Sequence, residues 1–106
     1  MYATELNPVS FKFLKENIIL NNITTIEPLF GDTRKIIETL VADGIQADRV
    51  IMGYLPAPKE FLPFAFQIIK KQGILHYEEI ISFEQTDAEI RRVMHYINAA
   101  ALEKGF

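Results

Sequence analysis

At 106 residues the chain is long enough for one layered core and short for a complete nucleotide-using enzyme. Its 49% hydrophobic and 24% charged residues are ordinary globular composition, a formal charge of -3 argues against this segment gripping nucleic acid alone, and zero cysteines exclude disulfides, thiolate zinc sites and cysteine nucleophiles. No apolar run of membrane-spanning length, basic-apolar leader or lipidation motif occurs, so the expectation is a soluble cytoplasmic protein with no membrane partner.

The first predicted strand, Tyr2–Leu6, runs directly into a helix over Pro8–Asn21. Phe11, Leu14 and Ile18 fall on one face of that helix, and Pro8 suits its first turn because the missing N–H is not needed there. A second strand over Thr25–Phe30 carries Pro28, which cannot donate to a central ladder, so it belongs on a sheet edge. Asp32 or Thr33 then caps a helix whose apolar stripe is Ile36, Ile37, Leu40 and Val41.

The third strand is expected over Arg49–Tyr54, its Val50-Ile51-Met52 run reading as buried on both faces. Pro56 and Pro58 keep the next loop out of helix, and a helix starts at Glu60 with Phe61, Phe64, Ala65 and Ile68 in register. A fourth strand is expected over Gly73–Phe83. Thr86-Asp87-Ala88-Glu89 then reads as a capping box opening a helix that buries Ile90, Val93, Met94 and Ile97. Four strand-then-helix units imply an α/β fold with a mostly parallel sheet, and ligands beyond the carboxyl ends of its strands.

Three of those strand ends carry suggestive groups. Glu5 ends the first, and a fixed carboxylate there can accept both hydroxyls of a ribose; the competing reading is a solvated or capping acid. Asn7 either orients the Glu5 loop or caps the first helix. Asp32, beside Gly31, either accepts an exocyclic amine or serves as an N-cap. Gly53-Tyr54-Leu55-Pro56 ends the third strand, where a planar base can stack on Tyr54 or the tyrosine can simply pack. His76 and Tyr77 alternate faces in a strand, and no second ligand stands at suitable spacing, so no metal is expected. His95 reads as a surface residue, and the acids near Glu78 read as a solvated face.

Taken in order, Glu5-Leu6-Asn7-Pro8, Phe11, Leu14, Asn17, Leu20-Asn21, Gly31-Asp32-Thr33-Arg34, Ala47 to Pro56 and Glu60-Phe61-Leu62 resemble one family across nearly the whole chain. It comprises the S-adenosyl-L-methionine-dependent enzymes that modify the purine just 3′ of the tRNA anticodon. These are the tRNA guanine-N1 methyltransferases and the wybutosine-synthesising aminocarboxypropyl transferases. The resemblance implies a Rossmann-like methyltransferase fold, S-adenosyl-L-methionine as cofactor and tRNA as partner. It implies cofactor contacts from Glu5, Leu6, Asn7, Gly31, Asp32 and Gly53, and substrate contacts from Tyr54, Leu55 and Pro56. In the methyltransferase branch the last motif usually begins with asparagine; Gly53 here, with Glu60-Phe61-Leu62 and His76-Tyr77, looks more like the aminocarboxypropyl branch. No catalytic base is assigned.

By the same resemblance, residues 1–106 read as part of a catalytic domain without its first strand and Gly-rich turn and without its last strands. The absent strand would lie between the first and third strands here, leaving a gap that a longer chain or self-association would cover. Two other classes of reading stand beside it. One is a non-catalytic self-associating module; the other is half of a dinucleotide oxidoreductase, for which no Gly-x-Gly-x-x-Gly is present.

Overall fold

Four strands and four helices alternate along the computed structural model, which describes residues 1–106. By its contacts the chain divides into two units, Met1–Thr39 and Leu40–Phe106. The strands form two parallel pairs, the first with the second and the third with the fourth.

In the first unit, β1 (Tyr2–Glu5) pairs with β2 (Glu27–Phe30) from Tyr2 opposite Glu27 to Glu5 opposite Phe30. Pro28 is tolerated because β2 has a neighbour on one side only, as its sequence requires. Between them runs α1 (Pro8–Leu20), started by the proline and capped by Asn7. Phe11, Leu14 and Ile18 are its half-buried face, and the Phe11 ring lies 5.3 Å from that of Phe30, fastening helix to strand. The helix stops where Asn22 turns to φ 53, a left-handed residue that lets the Ile23 amide reach the Ile18 carbonyl at 3.0 Å. Asn21 also donates its side-chain amide to the Asn17 carbonyl at 2.8 Å, a structural role for that pair. α2 (Thr33–Ala42) follows β2 and carries the buried Ile37 beside half-buried Ile36; its last turn, with half-buried Leu40 and Val41, is counted with the second unit.

In the second unit, β3 (Ala47–Met52) pairs with β4 (Ile69–Tyr77). The register jumps between Ala47 opposite Ile69 and Arg49 opposite Ile74, so β4 bulges. Gly73 sits in that bulge, where an added Cβ would lie 2.5 Å from a side-chain carbon of Ile69 and 3.1 Å from the Asp48 carbonyl oxygen. A short 3-10 turn, Lys59–Phe61, leads into α3 (Leu62–Ile68), and another, Phe83–Gln85, leads into α4 (Thr86–Glu103). Met52, Leu62 and Ala65 form the core, with Val50, Leu75, Tyr77, Tyr96, Ile97 and Ala100 packed against it.

Four expectations are corrected in this unit. β3 is covered on one face only: Ile51 is 64% exposed while its neighbour Met52 is buried, so the run alternates despite its uniform hydrophobicity. β4 starts directly after α3 and ends at Tyr77, because Met52 is the last residue of β3 and offers the last partner. The capping box does not form. Thr86 is already helical and donates its hydroxyl to the Phe83 carbonyl at 2.9 Å, and Glu89 is turned to Arg92. The buried stripe on α4 also differs: Ile90 and Met94 stay exposed, whereas Tyr96, Ile97 and Ala100 reach the core.

Candidate functional site

The parallel pairing of β1 and β2 brings their carboxyl ends side by side. The Gly31 amide donates to the Glu5 carbonyl at 2.9 Å, continuing the ladder one step past β2. Gly31 has φ +139, a region that side-chain-bearing residues rarely adopt, and it turns the chain sharply into Asp32. Thr4 and Thr33 share a hydroxyl hydrogen bond of 2.6 Å that ties β1 to the start of α2. The expected residues Glu5, Asn7, Gly31 and Asp32 thus stand together at one end of this pair, and Leu6 points to solvent.

Glu5 is half-buried and accepts the Asn7 amide on Oε1 at 2.9 Å, while Oε2 carries no hydrogen bond. A carboxylate held through one oxygen keeps lone pairs on both for a vicinal diol. For Asn7 the capping role holds: its Oδ1 accepts the Val9 and Ser10 amides at 2.9 and 3.3 Å.

Asp32 caps α2 by accepting the Arg34 amide at 2.9 Å. Its carboxylate is also gripped by the Arg34 side chain, with Nε 3.0 Å from Oδ1 and Nη2 2.7 Å from Oδ2. The hydrogen bonds from that side chain and amide hold the Asp32 carboxyl down at about 2, against an ordinary 3.8. It is ionised and an acceptor only, yet most of its lone pairs face Arg34, so an incoming amine has to share them.

In the second unit, Gly53-Tyr54-Leu55-Pro56 follows β3 as a loop containing a cis Leu55–Pro56 bond. Two backbone bonds from the segment after β4 hold its ends: Glu78 N–H to the Met52 carbonyl at 3.0 Å and Ile80 N–H to the Pro56 carbonyl at 2.9 Å. Tyr54 is 62% exposed, its ring centre 5.6 Å from that of Phe61 and steeply tilted to it, so a supported aromatic ring reaches solvent beside exposed Leu55. His76 and Tyr77 lie on opposite faces of β4, as their alternation requires, and exposed His76 sits 3.3 Å from Arg49 Nη1. His95 is exposed on α4.

Glu79 overturns the reading of this acidic stretch as a solvated face. Its side chain is 7% exposed, and Arg92 Nη2 donates to Oε1 at 2.9 Å. The Tyr77 hydroxyl donates to Oε2 at 2.8 Å, and the Tyr96 hydroxyl donates to the same oxygen. Each phenol has one hydrogen and the carboxylate is the stronger acceptor, so the 3.2 Å approach of the two hydroxyl oxygens follows from their shared target. Arg92 is itself held by Glu89 at 2.8 Å, and Lys59 lies 4.6 Å above the Tyr96 ring. Burial pushes the Glu79 carboxyl up, but the donated bonds from Tyr96, Arg92 and Tyr77 outweigh it and leave the group below its ordinary value. Burial, with Tyr96 and Glu79 alongside, drives the Tyr77 phenol well up. Spacing carried a trace of this cluster: Tyr77 and Glu79 are two apart after a strand, and Arg92 and Tyr96 are four apart on a helix.

The sequence profile of the TRM5/TYW2 methyltransferase domain matches residues 1–105. The chain is 38% identical over 82 residues to the tRNA(Phe) (4-demethylwyosine(37)-C(7)) aminocarboxypropyltransferase of Methanocaldococcus jannaschii, covering 77% of this chain and 31% of that protein. It is 36% identical over 77 residues to the tRNA (guanine(37)-N(1))-methyltransferase Trm5b of Pyrococcus abyssi, covering 73% of this chain and 21% of that one. Among solved structures, M. jannaschii TYW2 in complex with AdoMet superposes with a TM-score of 0.73 at 32% identity, over 93% of this chain and 43% of its own. Trm5b from P. abyssi superposes with a TM-score of 0.67 at 32% identity, over 92% of this chain and 28% of its own. The chain therefore spans about a third or less of the length of these two curated relatives.

Proposed function

This chain belongs to the TRM5/TYW2 methyltransferase domain family, and we propose that it serves S-adenosyl-L-methionine-dependent modification of the purine beside a tRNA anticodon, by aminocarboxypropyl transfer in wybutosine synthesis. The observation that carries the reading is the pair of carboxylates at adjoining strand tips, Glu5 on β1 and Asp32 after β2, joined through the Gly31 amide. Their chemistry fits the two ends of one adenosine. Glu5 offers a partly engaged carboxylate for the ribose diol, and ionised Asp32 offers an acceptor for the adenine amine.

When bound, the cofactor supplies an electrophilic carbon beside its sulfonium, so the chain need provide no nucleophile. What its residues do is bind and orient. Glu5, Asn7, Gly31 and Asp32 fix the nucleoside, and the exposed Tyr54 face, with Leu55 and Pro56, receives the target base. Gly53 in place of the methyltransferase branch's asparagine supports aminocarboxypropyl over methyl transfer. A tRNA substrate also supports a cytoplasmic setting.

Calorimetric titration of the full-length protein with S-adenosyl-L-methionine tests this reading against its Glu5→Ala variant. Loss of charged hydrogen bonds to two hydroxyls should weaken binding by about tenfold or more. An unchanged dissociation constant removes the ribose assignment, and no binding by the unaltered protein removes the cofactor.

A further inference from the structure

We propose that Glu79 is a positioning residue for the Gly53–Pro56 loop: clamped by Tyr77, Tyr96 and Arg92, it fixes the backbone segment that holds both ends of that loop. This deepens the reading above, on which the loop's role as receiver of the target base rests. The geometry is local. Glu78 and Ile80 donate the two amides that close the loop, and Glu79 is the residue between them. The Glu78 amide completes the last rung, Met52 opposite Tyr77, whereas the Ile80 amide lies past it, so the β-ladder itself does not secure Ile80. What secures the chain past that rung is the Glu79 side chain. It is tied backward to β4 through Tyr77 and across to α4 through Tyr96 and Arg92.

The clamp is expensive to break and specific in direction. An ionised carboxylate that is 7% exposed retains its place only while its donors are present. Tyr96 belongs at once to the clamp and to the layer packed on Met52, Leu62 and Ala65, so α4 presents its hydroxyl from a fixed point. The loop's two amide-held ends therefore inherit their position from the core through Tyr96 and Glu79, beside the contact its own Tyr54 ring makes with Phe61.

The test is native-state hydrogen exchange on the full-length protein, its Glu79→Gln variant and its Tyr96→Phe variant. An amide in place of the carboxylate turns two hydrogens toward the existing donors. The Ile80 amide, past the ladder, should then exchange about tenfold faster or more and the Glu78 amide, on the last rung, faster by less, while those of β1–β2 and of Val50 to Met52 keep their protection. Tyr96→Phe removes one donor and keeps the ring, so a smaller rise at the same two amides is expected should Glu79→Gln not fold. Unchanged protection at both amides, or protection lost evenly along β3 and β4, overturns the proposal. In transfer assays, Glu79→Gln should lower kcat with the S-adenosyl-L-methionine dissociation constant unchanged, whereas a general structural loss would move both. Absence of transfer in the unaltered protein would strike the transferase reading instead, leaving the exchange result to decide the clamp.

Discussion

Arg34 closes a fork on Asp32, with Nη2 at 2.7 Å from Oδ2 and Nε at 3.0 Å from Oδ1, while its own amide donates to the same carboxylate. One acid thus serves as helix cap, ion-pair partner and proposed adenine acceptor. These roles separate by substitution. Asp32→Ala should cost about 1 kcal/mol of stability through the lost cap, measured by denaturant unfolding. Asp32→Asn keeps an oxygen for the Arg34 amide, so it should lose less stability than the Ala variant while lacking the acid-dependent share that the ionised carboxylate contributes. Both should weaken S-adenosyl-L-methionine binding. Full affinity in the Asn variant would assign Asp32 to capping alone.

Leu62 is 1% exposed and joins Met52 and Ala65 in the core of the second unit. Its truncation to Ala should destabilise that unit by about 2–5 kcal/mol, from lost transfer energy and the cavity left behind. Chemical denaturation followed by near-UV tyrosine dichroism reads this directly, since Tyr77 and Tyr96 pack on the same core. A loss under about 1 kcal/mol would mean that the core collapses around the gap or that Leu62 is not central to it.

Acid stability follows from the two depressed carboxyls. Donated bonds from Arg34 hold Asp32 at about 2 in the fold against 3.8 ordinarily, and Glu79 also lies below its ordinary 4.5. A group depressed by folding stabilises the fold fully above its unfolded value, and that contribution is lost as pH falls through the folded value. Stability should therefore hold from neutral pH down to the ordinary carboxylate range and decline below it. Glu79→Gln should flatten part of that decline. High salt should trim the share from Asp32, whose side chain is 23% exposed, more than that from Glu79, whose side chain is 7% exposed. An acid limb identical in parent and Glu79→Gln would show that Glu79 keeps its ordinary value in the fold.

Much of this was legible in the chain because local rules and tertiary demands agree. Pro8 after Asn7 announces a capped helix, Phe11, Leu14 and Ile18 announce its buried face, and Pro28 announces an edge strand. The failures fall where a partner outside the window decides. Nothing in Val50-Ile51-Met52 says that one face will lack cover. The start of β4 is obscured by Lys70 and Lys71, whose ammonium groups find Asp48 and the Gly105 carbonyl at 2.6 Å from distant segments. Glu79 is hardest to read, since two of its three donors come from α4 and only the assembled core brings them to it. Sequence reading placed Glu5 at the end of β1 and Asp32 just after β2 because strand ends are marked locally; it missed the clamp because burial of an acid is a property of the packed unit.

Gly53 offers a direct trial of the choice between the two transfer chemistries. Its φ lies outside the left-handed range, and an added Cβ would meet only Glu78 Oε2, at 3.5 Å, an ordinary contact with a flexible side chain. Gly53→Asn, the residue usual in the methyltransferase branch, should therefore fold with stability within about 0.5 kcal/mol of the parent. An asparagine amide there adds both a donor and an acceptor at the head of the loop proposed to receive the base, and should disfavour the orientation proposed for aminocarboxypropyl transfer. Mass spectrometry of nucleosides from treated tRNA should show less aminocarboxypropyl product per enzyme at equal cofactor occupancy. An unaltered product and rate would mean that this position does not separate the two branches, and Glu60-Phe61-Leu62 or His76 would be the next positions to exchange.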